Sequence, residues 1–161
     1  MPMKRLRRFL RDCGGSNLIE AAIVTPLLLV LTLGLVDFAS MFYVYLALEN
    51  GVSQATRFAI TGNDMDDPNS PGTPLGREAA IKLAMQESTP VIDVSAATFT
   101  FTHMVPGSSS WAGGAGGPGD IGRVSVEYTW KPLTPIMRPL LTNGEMTVRV
   151  ESAMKNESRW D

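Results

Sequence analysis

Few side chains in this chain are placed to do chemistry, and the most telling are a glycine, a serine and a glutamate. Residues 14–20 read Gly-Gly-Ser-Asn-Leu-Ile-Glu, between a basic N-terminal segment and an apolar run. Gly15 has no side chain to keep a peptidase from the backbone in an extended or turn conformation. Cleavage after Gly15 would make Ser16 the first residue and free an α-amine that is mostly protonated at neutral pH. Glu20, then the fifth residue, stands one helical turn away and could pair with the amine of a staggered neighbour. In lipid such a pair is worth forming, because either charge alone is costly. A carboxylate at the centre of a spanning helix costs about 2.5–3.5 kcal/mol, and less near its edge. A simple anchor has no use for it. Asp37 follows 17 residues later, or about 25 Å along a helix. There it reads as a solvated acidic residue at the outer interface. Phe38, Phe42, Tyr43 and Tyr45 come next and suit an aromatic belt at headgroup level.

Other chemistries find no support. His103 is the only histidine and Cys13 the only cysteine, so no nucleophile–base pair and no cysteine-rich zinc site is indicated. Cys13 follows Leu10-Arg11-Asp12 and precedes the apolar run, the wrong order for a lipidation signal. Residues 113–119 are glycine-rich but lack a following Lys-Ser/Thr, and read as a flexible loop rather than a phosphate cradle. Asp64, Asp66 and Asp67 do not follow the calcium-loop pattern and read as a solvated acidic loop. The expectation is a protein that is no enzyme and has no cofactor, no metal and no small-molecule substrate.

The elements that must carry these residues begin with a long helix. From Ala21 to Leu48 there are 28 residues whose only charge is Asp37. That is too long for a signal-peptide core of about 7–15 residues. As a helix it would reach roughly 42 Å, beyond the roughly 30 Å of hydrocarbon in a bilayer. Pro26 falls inside it and removes one backbone hydrogen bond, which predicts a kink. Residues 1–15 hold five Lys/Arg against Asp12 alone, whereas the other 146 hold nine basic and 15 acidic residues. Basic residues gathered in a terminal tag do not make the charged face of a nucleic-acid binder. They do predict a cytoplasmic N-terminus and a C-terminal part outside the membrane.

The remaining sequence predicts a small α+β head. The spanning helix should continue to about Thr61, with Leu48, Val52, Ala55 and Ala59 at helical spacing. Glycines and prolines between 62 and 75 predict a loop. Arg77 to Glu87 predicts a short amphipathic helix burying Ala80, Ile81, Leu83, Ala84 and Met85. Alternation predicts three antiparallel strands, at about 92–104, 122–131 and 145–153. Val124, Val126, Tyr128 and Trp130 share one face, and Met146, Val148 and Val150 keep phase. His103 is most simply a strand residue. Pro132 to Pro139 must be a crossing loop. The organisation expected is a leader over 1–15, a helix over 16–61 and a head over 62–161. So small a head buries little and should lean on the outer turns of the helix or on partners.

A basic leader, a glycine and a glutamate at the fifth mature position resemble the processing site of type IV prepilin-like proteins. Residues 20–29, Glu-Ala-Ala-Ile-Val-Thr-Pro-Leu-Leu-Leu, resemble the opening of TadE-like proteins, the minor pseudopilins of the tight-adherence (Flp) pilus machinery. Gly34-Leu35-Val36-Asp37-Phe38-Ala39 matches that family's phase, and residues 50–59 are similar to its Ala/Arg-rich extension. Glu151 to Glu157 resembles its closing strand, ending in Lys155-Asn156-Glu157. Ser16-Asn17 departs from the Phe-Thr pair of secretion-type pseudopilins, and Thr56 stands where an alanine is common. The resemblance implies a pilin-like subunit of the bacterial inner membrane, cut by a prepilin peptidase. Its partners would be that peptidase, other pilins or pseudopilins, the assembly machinery and membrane lipid. The alternative is an uncleaved signal-anchored domain that binds a ligand or a partner protein outside the membrane.

Overall fold

The computed structural model describes residues 14–158; the leader as far as Cys13 lies outside them. Helix α1 spans Gly14–Ile60, 47 residues, or about 70 Å. It starts two residues before the expected Ser16 and ends one before Thr61. Hydroxyls along it bond back to the preceding turn: Thr32 Oγ1 to the Leu28 carbonyl at 2.8 Å and Thr56 Oγ1 to the Val52 carbonyl at 2.7 Å. These two hydroxyls therefore bring no unsatisfied donor into an apolar helix. The helix runs through Pro26 without a break. The missing N–H leaves the Ala22 carbonyl without its intrahelical donor, the local weakness on which the expected kink rests.

Two halves of α1 live in different surroundings. From Asn17 to Thr32 every residue is exposed in the single chain. From Gly34 onward one stripe turns inward, through Asp37, Met41, Val44, Leu48, Val52, Ala55 and Ala59. The spacing alternates between three and four residues, the signature of a helix face packed on a core. The head thus has no core separate from α1: Leu48, Val52, Ala55 and Ala59 share one cluster with the apolar residues of the sheet.

The sheet has four strands rather than the three expected. Strands β3 (Thr98–Met104), β5 (Ile121–Trp130) and β6 (Met146–Lys155) are joined by the two-residue β4 (Ala112–Gly113). The order is β4-β3-β5-β6, antiparallel throughout. Register brings Phe101 opposite Val124 and Val150 opposite Val126, so one apolar face meets α1. Met146 keeps phase opposite Trp130 but is 42% exposed, at the far end of the edge strand. β3 starts at Thr98 because Asp93 caps a turn over Val94–Ala96 that buries Val94. The expected loop 62–75 also holds a short antiparallel ribbon, β1 (Asp66–Asp67) with β2 (Ser70–Pro74). Asp67 Oδ1 accepts the Asn69 N–H at 2.8 Å and closes its turn.

Helix α2 (Arg77–Ser88) buries Ala80, Ile81 and Met85 against α1; Leu83 and Ala84 are only half-buried. Close approach of the two helices depends on Gly51. A Cβ there would lie 2.7 Å from Thr89 Cγ2 and 3.2 Å from Met85 Cε. Thr89 cannot swing aside freely, because its Oγ1 donates to the Met85 carbonyl at 2.6 Å. Gly51→Ala should therefore destabilise the protein: overpacking costs about 1–3 kcal/mol, against about 1 kcal/mol gained in helix propensity. Thermal unfolding in detergent should show a lowered Tm. Adding Thr89→Ser, which removes the clashing methyl and keeps the hydroxyl, should restore most of it.

Candidate assembly site on the long helix

The residues singled out for processing sit in the N-terminal turns of α1. Gly15 lies in the first helical turn, not in the extended or turn conformation expected for a cleavage site. The apolar run propagates helix back to Gly14, and the first-turn N–H groups have no intrahelical partners in any case. Two successive glycines make that turn cheap to unwind, at about 1 kcal/mol each relative to alanine. Among the described residues beyond its own helical turn, no atom lies within 4 Å of where a Gly15 Cβ would be, which leaves this side of the backbone open to approach. Ser16 follows in the same turn. Glu20 is exposed, like its neighbours Leu18 (73%) and Ile19 (66%). Among the described residues nothing covers this end of the helix.

Asp37 is where sequence reasoning and structure part. It is fully buried, not solvated. Its Oδ1 accepts the Thr134 backbone N–H at 3.0 Å, and its Oδ2 accepts the Thr134 hydroxyl. Thr134 lies in the Pro132–Pro139 crossing loop, 97 residues away in sequence. The carboxylate therefore staples the head to the helix at the lower edge of their contact. Alongside, Met137 Sδ lies 3.9 Å from the position of a Gly34 Cβ, so the small residue admits the loop against the helix. Phe38, Phe42, Tyr43 and Tyr45 remain exposed on α1, with Phe38 and Phe42 stacked at 6.5 Å.

The other end of α1 is closed by the head. Arg77 Nη2 donates to the Ala59 carbonyl at 2.7 Å, and the Glu157 N–H to the Ile60 carbonyl at 3.0 Å. These are last-turn acceptors that the helix cannot satisfy itself. Burial pulls the Arg77 guanidinium below its ordinary pKa while Asp120 and Asp64 draw it back up, and it remains a cation. The glycine-rich segment is no free loop. Gly114 N–H bonds to the Phe101 carbonyl at 3.0 Å, and Asn156 Nδ2 to the Gly117 carbonyl at 2.8 Å. His103, in β3, has Nδ1 3.2 Å from the Gly114 carbonyl. Among the described residues no group of three or more His, Cys, Asp or Glu is placed to hold a metal ion.

One apolar helix, Asn17–Ile60, is long enough to cross a membrane, and its most apolar window is entirely unburied. Joined to a small α+β head, this long apolar helix is consistent with a single membrane span or a signal anchor. Residues 15–57 match the family model for TadE-like protein, so over its long helix this chain is similar to that family. The family is one of structural subunits of pilus assembly and not of enzymes. No curated protein and no solved structure matches the chain.

The Asp37–Thr134 contact gives a direct test of the head–helix junction. Thr134→Val keeps the shape and the backbone donor but removes the hydroxyl from a buried carboxylate. That should cost about 1–3 kcal/mol. Denaturant unfolding should show the loss, and limited proteolysis should cut faster between Lys131 and Thr142.

Proposed function

We propose that this protein is a prepilin-like subunit that acts by assembly in a Flp-type pilus system, cut after Gly15 and packed through α1 with related subunits. The observation that carries the reading is the exposed N-terminal part of α1, which holds Gly15 and Glu20 and is matched by the TadE-like family model. The leader stays in the cytoplasm and the head lies outside the membrane, as five basic residues before the span favour. The peptidase sees Gly15 in the unwound first turn; the freed amine of Ser16 on one subunit then pairs with Glu20 of the next. Pro26 bends the helix between this pairing site and the head.

Processing is read by N-terminal sequencing of membrane-extracted protein. The mature chain should begin at Ser16, and Gly15→Ala should leave precursor behind. A sole N-terminus at Met1 or Pro2, in cells with an active prepilin peptidase, moves the reading to the uncleaved anchor. Topology is read by alkaline phosphatase fused after Asp161, which should be active.

Glu20→Leu separates assembly from anchoring by opposite signs. Removing a charge from the span should favour insertion, so membrane levels should stay normal or rise. Loss of the amine's partner should abolish or sharply reduce piliation, counted by electron microscopy beside an immunoblot of the membrane fraction. Glu20→Asp, which keeps the charge and shortens the reach, should fall between. Full piliation by the Leu variant at normal levels would remove the role given to Glu20.

A further inference from the structure

We propose that the loop from Lys131 to Thr142 is a membrane-surface foot: it lies on the outer leaflet, with Leu133 and Leu140 in the lipid interface. The proposal rests on α1 spanning the membrane, and takes that reading further by setting the depth of the head. Helix geometry supplies the depth. If hydrocarbon begins near Leu18, Asp37 stands roughly 28 Å further along, close to the far boundary of a core roughly 30 Å thick. Thr134 is hydrogen-bonded to the buried Asp37 carboxylate through both its backbone and its hydroxyl, so the loop must share that depth. Met137, beside Gly34, reaches almost one helical turn deeper still, about 4.5 Å.

The composition of the loop fits that position. Leu133 is 68% exposed and Leu140 is 74% exposed, although both flank residues held against the helix. Lys131 and Arg138 are its only charges, whereas residues 62–161 as a whole hold eight basic against twelve acidic residues. A basic, leucine-bearing edge complements anionic headgroups above and acyl chains below. Pro132, Pro135 and Pro139 restrict the backbone, so the leucines are presented by a preset loop. Phe38 and Phe42 mark the same level on α1.

The test uses the full chain with Cys13→Ser in vesicles of phosphatidylethanolamine and phosphatidylglycerol. Nitroxides are attached after Leu133→Cys or Leu140→Cys, and after Leu27→Cys or Val91→Cys as references. Leu27 belongs to the span. Val91 is as exposed as Leu133 but lies beyond α2, two residues after Thr89, which packs on Gly51 well above the proposed surface. Power saturation with oxygen, which enters lipid, and with a water-soluble nickel chelate reports the depth of each label. The expected oxygen-to-nickel ratio at 133 and 140 is several-fold above that at 91 and approaches that at 27. Adding Thr134→Val should lower the ratio at 140 and leave 27 unchanged. Leucine positions as nickel-accessible as 91, with 27 still in lipid, would overturn the foot and leave the span intact. A nickel-accessible 27 would instead overturn the span, and the foot with it. Labels at 133 and 140 shielded from both reagents would mean that protein covers the loop, which overturns the lipid assignment.

Discussion

A carboxylate buried on an apolar helix is expensive unless donors meet it, and here the donors come from the far side of the head. Asp37 accepts from the backbone and hydroxyl of Thr134, and through that contact a loop 97 residues away is fixed to one level of α1. The packing of the head along the rest of the helix depends on this attachment. The inward stripe from Gly34 to Ala59 supplies one wall of the core, the sheet supplies the other, and α2 closes the side where Gly51 lets it in. On the N-terminal side of Gly34 the helix is left bare. A head of this size without α1 would have no complete core, so helix and head fold as one object.

Much of this plan is legible in the residues themselves. The 28-residue apolar run, the 3.6-residue spacing of Leu48, Val52, Ala55 and Ala59, and the alternation in β5 each express a single local period. Such periods survive without knowledge of the rest of the chain. The features that escape a local reading depend on partners distant in sequence. Asp37 looks like an interfacial carboxylate because nothing near it in sequence announces Thr134. β4 is two residues long and exists only because β3 offers it an edge. The glycine-rich segment looks loose by composition, yet Asn156, 39 residues on, holds it. Gly51 gives no signal at all, since a glycine in a helix is informative only once the neighbour it admits is known.

At the C-terminal end of α1 the logic of satisfaction repeats. The last carbonyls of α1 are met by Arg77 and by the Glu157 backbone, while Asn156 beside it is buried and bonded into the glycine-rich turn. The closing segment Lys155-Asn156-Glu157 thus ties the end of the edge strand to the end of the helix. The head is held at both ends of its contact with α1. At the lower end a carboxylate accepts from a loop; at the upper end carbonyls accept from a side chain and the backbone.

A grip that extends along α1 from Gly34 to Ile60 leaves no swivel between shaft and head. Azimuth is therefore inherited. Each residue added to a helix turns the chain beyond it by about 100° and advances it by about 1.5 Å. The 17 residues from Glu20 to Asp37 consequently act as a protractor as well as a ruler, setting the compass bearing of the head relative to the charge at the base. Lengthening that stretch by one residue would leave the apolar run long enough to span, yet turn every head by more than a quarter of a revolution about its own shaft. In a helical array, the screw that relates the shafts is then also the screw that relates the heads.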